Sequence, residues 1–132
     1  MYASISKTNV NAIKTNHGKM PMRSYHIDEF TPEQIETIIK RFTGKGYASA
    51  IPQLFQIPLP AEFWSPKQKE HADSCGPFYM AIETGRDWVR LEFLVRARQI
   101  LHCSCVAYAT KEQCEYMMDY LDTTLREWDI PV

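Results

Sequence analysis

Residues 87–98 alternate between apolar and mostly charged side chains, and this pattern restricts the possible folds more than any other feature of the sequence. The apolar positions are Val89, Leu91, Phe93, Val95 and Ala97. The positions between them hold Trp88, Arg90, Glu92, Leu94, Arg96 and Arg98, of which only Leu94 is aliphatic. A period of two residues is typical of a β-strand with one buried face. The pattern therefore predicts a strand whose outward face carries arginine and tryptophan.

The neighbouring segments extend this strand into a meander. Residues 78–82 also alternate, and a short connection containing Gly85 joins them to the strand, as in a β-hairpin. Residues 100–109 are small, apolar and β-branched, which favours a third strand. We therefore predict an antiparallel meander over 77–109.

Two helices are predicted from their start signals and apolar stripes. Thr110 with Gln113, and Thr31 with Gln34, have the three-residue spacing of a capping box, and Pro32 suits the first helical position. Apolar residues then recur every three, four or seven positions. In the second helix these are Cys114, Met117, Met118, Leu121, Leu125 and Trp128. The predicted helices cover 31–43 and 110–128.

These elements predict an α+β fold, a two-layer sandwich in which both helices pack on one face of an antiparallel sheet of three to five strands. Weaker patterns at 23–28 and 54–57 favour two short additional strands. Residues 1–22 are polar and weakly patterned, so we predict a mobile or irregular arm followed by a single domain over 23–132.

Composition excludes several classes of protein. The net charge of −1 argues against a constitutive duplex-DNA binder, although a local basic patch remains compatible with it. No apolar run is long enough to span a membrane, and the first residues lack a secretory signal. The four cysteines favour reduced thiols over a disulfide framework. We therefore expect a cytoplasmic protein without a membrane partner.

A metal site is the first chemistry to consider, because thiolate and imidazole groups are the usual ligands of zinc. The candidate ligands are His71, Cys75, His102, Cys103 and Cys105. If 100–109 is a regular strand, the Cys103 and Cys105 sulfurs lie on one face about 6.6 Å apart, with His102 on the other. This spacing is poor for a metal, so the sequence predicts neither a metal nor another cofactor, and small buried thiols are the expected alternative.

A catalytic cysteine is a second hypothesis. Cys75 lies in a predicted turn four residues after His71, and on a helical turn the two side chains share a face. A nearby imidazole favours the thiolate, which is the nucleophilic form. A small enzyme that uses Cys75 is therefore an alternative function, although no catalytic residue is assigned.

The outward face of the hairpin provides the remaining hypotheses. The candidate binding residues are Tyr79, Trp88, Arg90, Leu94, Arg96 and Arg98. Arginines among aromatic rings can bind single-stranded nucleic acid. The same residue types are also enriched at protein interfaces. The leading prediction is a small non-enzymatic protein-binding or regulatory module, possibly a homodimer, with single-stranded nucleic-acid binding as the alternative.

Overall fold

The predicted hairpin lies at the centre of a mainly antiparallel sheet. The computed structural model describes residues 4–6 and 23–132. Its strands are β1 (Ser4–Ser6), β2 (Ser24–Ile27), β3 (Leu54–Pro58), β4 (Phe78–Thr84), β5 (Val89–Glu92), β6 (Leu94–Ala97) and β7 (Ala107–Tyr108). The α+β class and the antiparallel hairpin are confirmed, and the sheet is open, with different strands at its two edges.

The strand predicted over 87–98 is interrupted at Phe93. Leu91 pairs with Ile82 and Arg96 with Tyr79, so the strand advances five residues while β4 advances three. The two extra residues form a bulge that divides the strand into β5 and β6. Because two residues are one full period of a strand, the apolar side chains keep the same face on both sides of the bulge.

Two short strands meet beside this bulge. Strand β2 pairs with β5, and β7 pairs with β6. At the junction the Phe93 N–H donates to the Arg23 carbonyl, and the Phe93 carbonyl accepts from the Ala109 N–H, at 2.8 and 2.9 Å. The Arg23 guanidinium also lies 4.1 Å from the centroid of the Tyr108 ring. Segments from the N-terminal and C-terminal halves of the described chain are therefore joined through one residue of the central strand.

The helices are α1 (Pro32–Gly44), α2 (Pro66–Glu70), α3 (Ala72–Cys75) and α4 (Lys111–Glu127), and Ala61–Phe63 forms one 3-10 turn. Both predicted capping boxes are present, at Thr31 with Gln34 and at Thr110 with Gln113. A third, between Ser65 and Gln68, begins α2. Pro66 occupies the first turn of this helix, where proline is favourable.

The inward residues of the sheet and the apolar faces of α1 and α4 belong to one hydrophobic cluster. Phe42 of α1 contacts Phe55 of β3 and Trp128 after α4, with ring centroids 5.6 and 5.0 Å apart. The Tyr25 hydroxyl of β2 donates to the Asp122 carboxylate of α4 at 3.0 Å. These contacts show that both helices pack against the core. The two-layer sandwich, with both helices on one face of the sheet, stays a prediction.

The third strand predicted over 100–109 is reduced to the two residues of β7. Residues 98–106 form a loop, in which the Val106 N–H donates to the Cys103 carbonyl at 3.0 Å and closes a turn. Ile100 and Leu101 are exposed, so the apolar composition of this segment does not reflect a buried strand face.

The predictions for the N-terminal arm lie mostly outside the described residues. Within it, β1 pairs in parallel with β2. Among the helices in the described part of the chain, none is both long and apolar enough to cross a membrane.

Candidate functional site

The outward face of the sheet contains a groove with a volume of about 490 Å³. Ala81 of β4 is only 5% exposed although it lies on the outward parity of its strand, because the longer side chains around it cover it. The groove is lined by Ser49, Ala50, Ile51, Leu54, Gln56, Tyr79, Ala81, Glu83, Arg90, Glu92, Arg96 and Leu101. We call this the outer-face groove. Three of the six predicted binding residues, Tyr79, Arg90 and Arg96, line it.

The arginines of the outer-face groove are paired with glutamates. Arg90 is the cross-strand partner of Glu83 and forms an ion pair with it. Arg96 donates to the Glu92 carboxylate from Nε and from the terminal nitrogen, at 3.3 and 3.2 Å. These two positive and two negative side chains cancel in net charge, so the groove is polar but does not carry a basic field.

Two exposed aliphatic residues lie at the rim of the outer-face groove. Ile51 precedes β3 and is 61% exposed, and Leu101 lies in the 98–106 loop and is 72% exposed. Sequence reasoning missed both, because Leu101 lies in a segment predicted to be a strand and Ile51 lies outside the predicted elements. The groove therefore combines paired charged side chains with two exposed aliphatic side chains.

The other three predicted binding residues lie away from the groove lining. Trp88, in the hairpin turn, stacks on His26 with ring centroids 5.3 Å apart. Leu94 is the cross-strand partner of Tyr108. Arg98 donates to the Gln56 side chain at 2.8 Å, and its guanidinium lies 6.0 Å from the Tyr79 ring centroid. The aromatic rings of this face are thus engaged by neighbouring side chains of the same chain.

A second constellation lies at the junction of α2, α3 and the 98–106 loop. His71, Cys75, Cys103 and Cys105 each place one potential ligand atom within 4.8 Å of all the others. His71 Nδ1 lies 3.2 Å from the Cys103 sulfur and 3.9 Å from the Cys75 sulfur. We call these four residues the His/Cys cluster.

Local backbone structure explains how the four side chains converge. The Cys75 N–H donates to the His71 carbonyl at 2.8 Å, so the two residues lie one helical turn apart on the same side. Cys103 and Cys105 lie in the tight turn of the 98–106 loop, whose backbone is not extended. The expected separation on a regular strand therefore does not apply. His102, the other candidate ligand, is exposed and lies outside the cluster.

Buried glutamine side chains hold the loop against the helices. Gln68 of α2 donates to the Cys105 carbonyl at 3.2 Å. Gln113 of α4 donates to the Gln68 side chain at 3.1 Å and to the Phe63 carbonyl at 2.8 Å. Gln68 and Gln113 are each 2% exposed. Because buried amides are costly unless hydrogen-bonded, this chain of contacts fixes the position of the loop.

The thiols of the His/Cys cluster have different environments. Hydrogen bonding from the Cys105 backbone and its side chain lowers the pKa of the Cys103 thiol to about 6. Burial raises the pKa of the Cys105 thiol to about 12, and its contacts with Cys103 and Cys75 act in the same direction. Outside the cluster, burial of Cys114 on the inner face of α4 raises the pKa of its thiol to about 12.

The structure brings Cys75 and His71 together, as the nucleophile hypothesis requires. However, Cys75 is only 4% exposed, and two further sulfurs lie beside it. A substrate therefore has little access to this sulfur. The arrangement resembles a ligand set more than the exposed, base-activated nucleophile of a hydrolase or transferase.

Comparisons with protein-family models, curated proteins and solved structures found no match. The functional interpretation consequently depends on the geometry of the outer-face groove and the His/Cys cluster.

Proposed function

We propose that this protein is a non-enzymatic binding module that associates with a second copy of itself through the outer-face groove. The observation that carries the proposal is the exposure of Ile51 and Leu101 at the rim of a groove in an open sheet face. Large aliphatic side chains beside a concave surface are typical of interaction sites, where association removes them from water.

The charges of the groove favour a second copy as the partner. A symmetric dimer places the same surface on both sides of the interface, so that surface must be complementary to itself. The pairs Arg90 with Glu83 and Arg96 with Glu92 give the groove equal numbers of both charges. Two such faces can exchange ion-pair partners across a two-fold axis, whereas a uniformly charged face would repel its copy.

Association through the sheet face has more support than pairing at the edge of β3. The Ser49 N–H donates to the Leu54 carbonyl, and the Gln56 N–H donates to the Tyr47 carbonyl, at 3.1 and 2.8 Å. The preceding segment of the chain therefore occupies the backbone groups that another strand would need.

The alternative functions have less support. Nucleic-acid binding needs uncompensated cations and accessible rings, but the groove arginines face glutamates and Trp88 stacks on His26. A Cys75 nucleophile needs access that its burial restricts. Both remain hypotheses that the experiments below distinguish from self-association.

We also propose that the protein resides in the cytoplasm. All four cysteines are free thiols, and three of them lie in one cluster without a disulfide. Thiols this close together oxidise readily in an oxidising compartment, whereas a reducing compartment such as the cytoplasm would keep them free.

Sedimentation equilibrium and light scattering test the dimer over about a hundredfold range of protein concentration. We expect a monomer–dimer equilibrium for the wild type. Replacement of a buried apolar interface residue by a charge weakens association strongly, so Leu101→Asp and Ile51→Asp should each raise the dissociation constant at least about tenfold.

Ile100→Asp provides the matched control. Ile100 is 42% exposed and lies beside Leu101 in the same loop, but it is not part of the groove lining. It should leave the dissociation constant within about threefold of the wild-type value. A wild-type protein that stays monomeric over the whole range, or equal effects of all three substitutions, would overturn the proposal.

A further inference from the structure

The His/Cys cluster has the composition of a structural zinc site. It provides three sulfurs and one imidazole nitrogen, from His71, Cys75, Cys103 and Cys105. Soft thiolate ligands combined with imidazole select zinc over hard cations such as magnesium or calcium. Four protein ligands complete a tetrahedral coordination shell, whereas catalytic zinc sites keep one position for water or substrate.

The distances agree with this coordination. Zinc–sulfur bonds of about 2.3 Å and zinc–nitrogen bonds of about 2.0 Å place tetrahedral ligands roughly 3.5 to 3.8 Å apart. The distances from His71 Nδ1 to the Cys103 and Cys75 sulfurs are 3.2 and 3.9 Å, and no pair of ligand atoms exceeds 4.8 Å. Shifts of about 1 Å or less therefore bring all four atoms to bonding distance from one central point.

The surroundings of the cluster also match those of a metal site. Gln68 fixes the Cys105 backbone, and the Gln99 N–H donates to the Cys75 carbonyl at 3.0 Å. With Nδ1 directed at the sulfurs, the other imidazole nitrogen of His71 lies 3.9 Å from the Glu70 carboxylate. This distance is longer than a hydrogen bond. Metal-ligating histidines commonly direct their second nitrogen to a carboxylate, and a rotation of the exposed Glu70 side chain would complete that arrangement.

We propose that this protein binds one Zn²⁺ ion per chain through His71 Nδ1 and the sulfurs of Cys75, Cys103 and Cys105. The ion links the α2–α3 junction to the 98–106 loop, two segments that are about 30 residues apart in sequence and are also joined by the hydrogen bond from Gln68 to the Cys105 carbonyl. Its role is structural, because all four coordination positions are occupied by protein. The site shares no residue with the outer-face groove, so each proposal can fail without the other.

Elemental analysis and Co²⁺ titration test the site on the full-length, reduced protein. We expect about one zinc per chain after purification with a phosphine reductant. After zinc removal, Co²⁺ should produce thiolate-to-cobalt charge-transfer absorption and the intense visible bands of tetrahedral coordination. Zinc added afterwards should displace the cobalt, because a thiolate-rich tetrahedral site prefers zinc.

Variants identify the ligands. Cys105→Ser should reduce bound zinc to less than about one tenth of the wild-type amount. Because Cys105 is buried, Cys103→Ser and His71→Asn provide the same test at more accessible positions if Cys105→Ser does not fold. Cys114→Ser is the control, because Cys114 is a buried thiol that does not belong to the cluster. It should retain full zinc content.

Two results would overturn the inference. The first is a folded, reduced wild-type protein that binds neither zinc nor cobalt at micromolar concentrations. The second is folded Cys103→Ser and His71→Asn variants that retain the wild-type amount of metal and the wild-type cobalt spectrum.

Discussion

The side-chain amide of Gln113 donates a hydrogen bond to the side-chain oxygen of Gln68 at 3.1 Å, across 45 residues of sequence. Each glutamine also completes the capping box of its own helix. A local helix-start signal thus serves a tertiary function, because the side chain that caps α4 also connects α4 to α2 and through it to the 98–106 loop.

This dual role predicts different losses of folding stability for two substitutions that each remove a capping-box glutamine. Gln34 completes the capping box of α1 near the surface, so Gln34→Ala should lower the free energy of unfolding by about 1 kcal/mol. Gln113→Ala also removes buried hydrogen bonds to Gln68 and the Phe63 carbonyl, and should cost roughly 1 to 3 kcal/mol more. Urea denaturation measures both values. Equal losses would show that the buried network contributes nothing.

Gly76 is predicted to be intolerant of a side chain. An added Cβ would lie 2.8 Å from the Ala72 backbone carbonyl oxygen, and that oxygen already accepts the Gly76 N–H. The backbone next to Cys75 would have to move, so Gly76→Ala should destabilise the protein by about 1 to 3 kcal/mol.

Gly44→Ala is the control for this substitution. No atom lies within 4 Å of an added Cβ at Gly44, near the end of α1. Alanine has the higher helix propensity, so this variant should be unchanged or up to about 1 kcal/mol more stable. Thermal or urea denaturation measures the stability of both variants. A Gly76→Ala variant as stable as the wild type would contradict the prediction.

Tyr25 is predicted to make folding sensitive to alkaline pH. Burial, followed by the Asp122 carboxylate, raises the pKa of Tyr25 far above its ordinary value of 10. Between pH 10 and the raised pKa of the folded state, the unfolded chain releases the phenol proton and the folded chain keeps it. The contribution of this group is therefore complete below pH 10 and decreases by about 1.4 kcal/mol per pH unit above it.

Tyr25→Phe removes this dependence. At pH 7 the variant should be about 1 to 3 kcal/mol less stable, because the hydrogen bond to Asp122 is lost. The difference from wild type should shrink as the pH rises above 10. Denaturation curves at neutral and alkaline pH measure it, and a difference that stays constant would refute the assignment.

Single-stranded nucleic acid is predicted to bind only weakly. The groove arginines are paired with Glu83 and Glu92, so few cations are available to displace counterions from phosphates. Fluorescence anisotropy with single-stranded oligonucleotides should give a dissociation constant no tighter than about 10⁻⁴ M at physiological salt. Micromolar, salt-sensitive binding that weakens in Arg96→Ala and Arg98→Ala would instead support the nucleic-acid hypothesis.

Much of the fold was accessible from local patterns. Alternation identified β4 and the central strand, and capping boxes identified the starts of α1 and α4. The division of the central strand into β5 and β6 could not be predicted from the sequence, because a bulge of two residues preserves the alternation on both sides. The start of α2 is not among the predicted elements, although Ser65 and Gln68 have capping-box spacing and Pro66 suits the first helical turn.

The functional residues were harder to predict from the sequence, because their arrangement depends on tertiary contacts. The outward position of Arg90 and Arg96 follows from alternation, but their pairing with glutamates depends on register and rotamer. The sequence disfavours a metal site at the His/Cys cluster, because it predicts that Cys103 and Cys105 lie on a regular strand. The signal that the sequence does contain is the helical spacing of His71 and Cys75, together with the close pair Cys103 and Cys105. The contact from Gln68 that holds the loop beside them has no local sequence signature.

The junction at Phe93 has a consequence for how the protein melts. Strand β2 comes from the N-terminal half of the described chain and β7 from the C-terminal half, and both are bonded to the same interrupted strand. Neither half can detach without breaking the backbone bonds of that strand. Folding should therefore be cooperative, with calorimetric and van't Hoff enthalpies that agree and a single transition that includes both ends of the described chain.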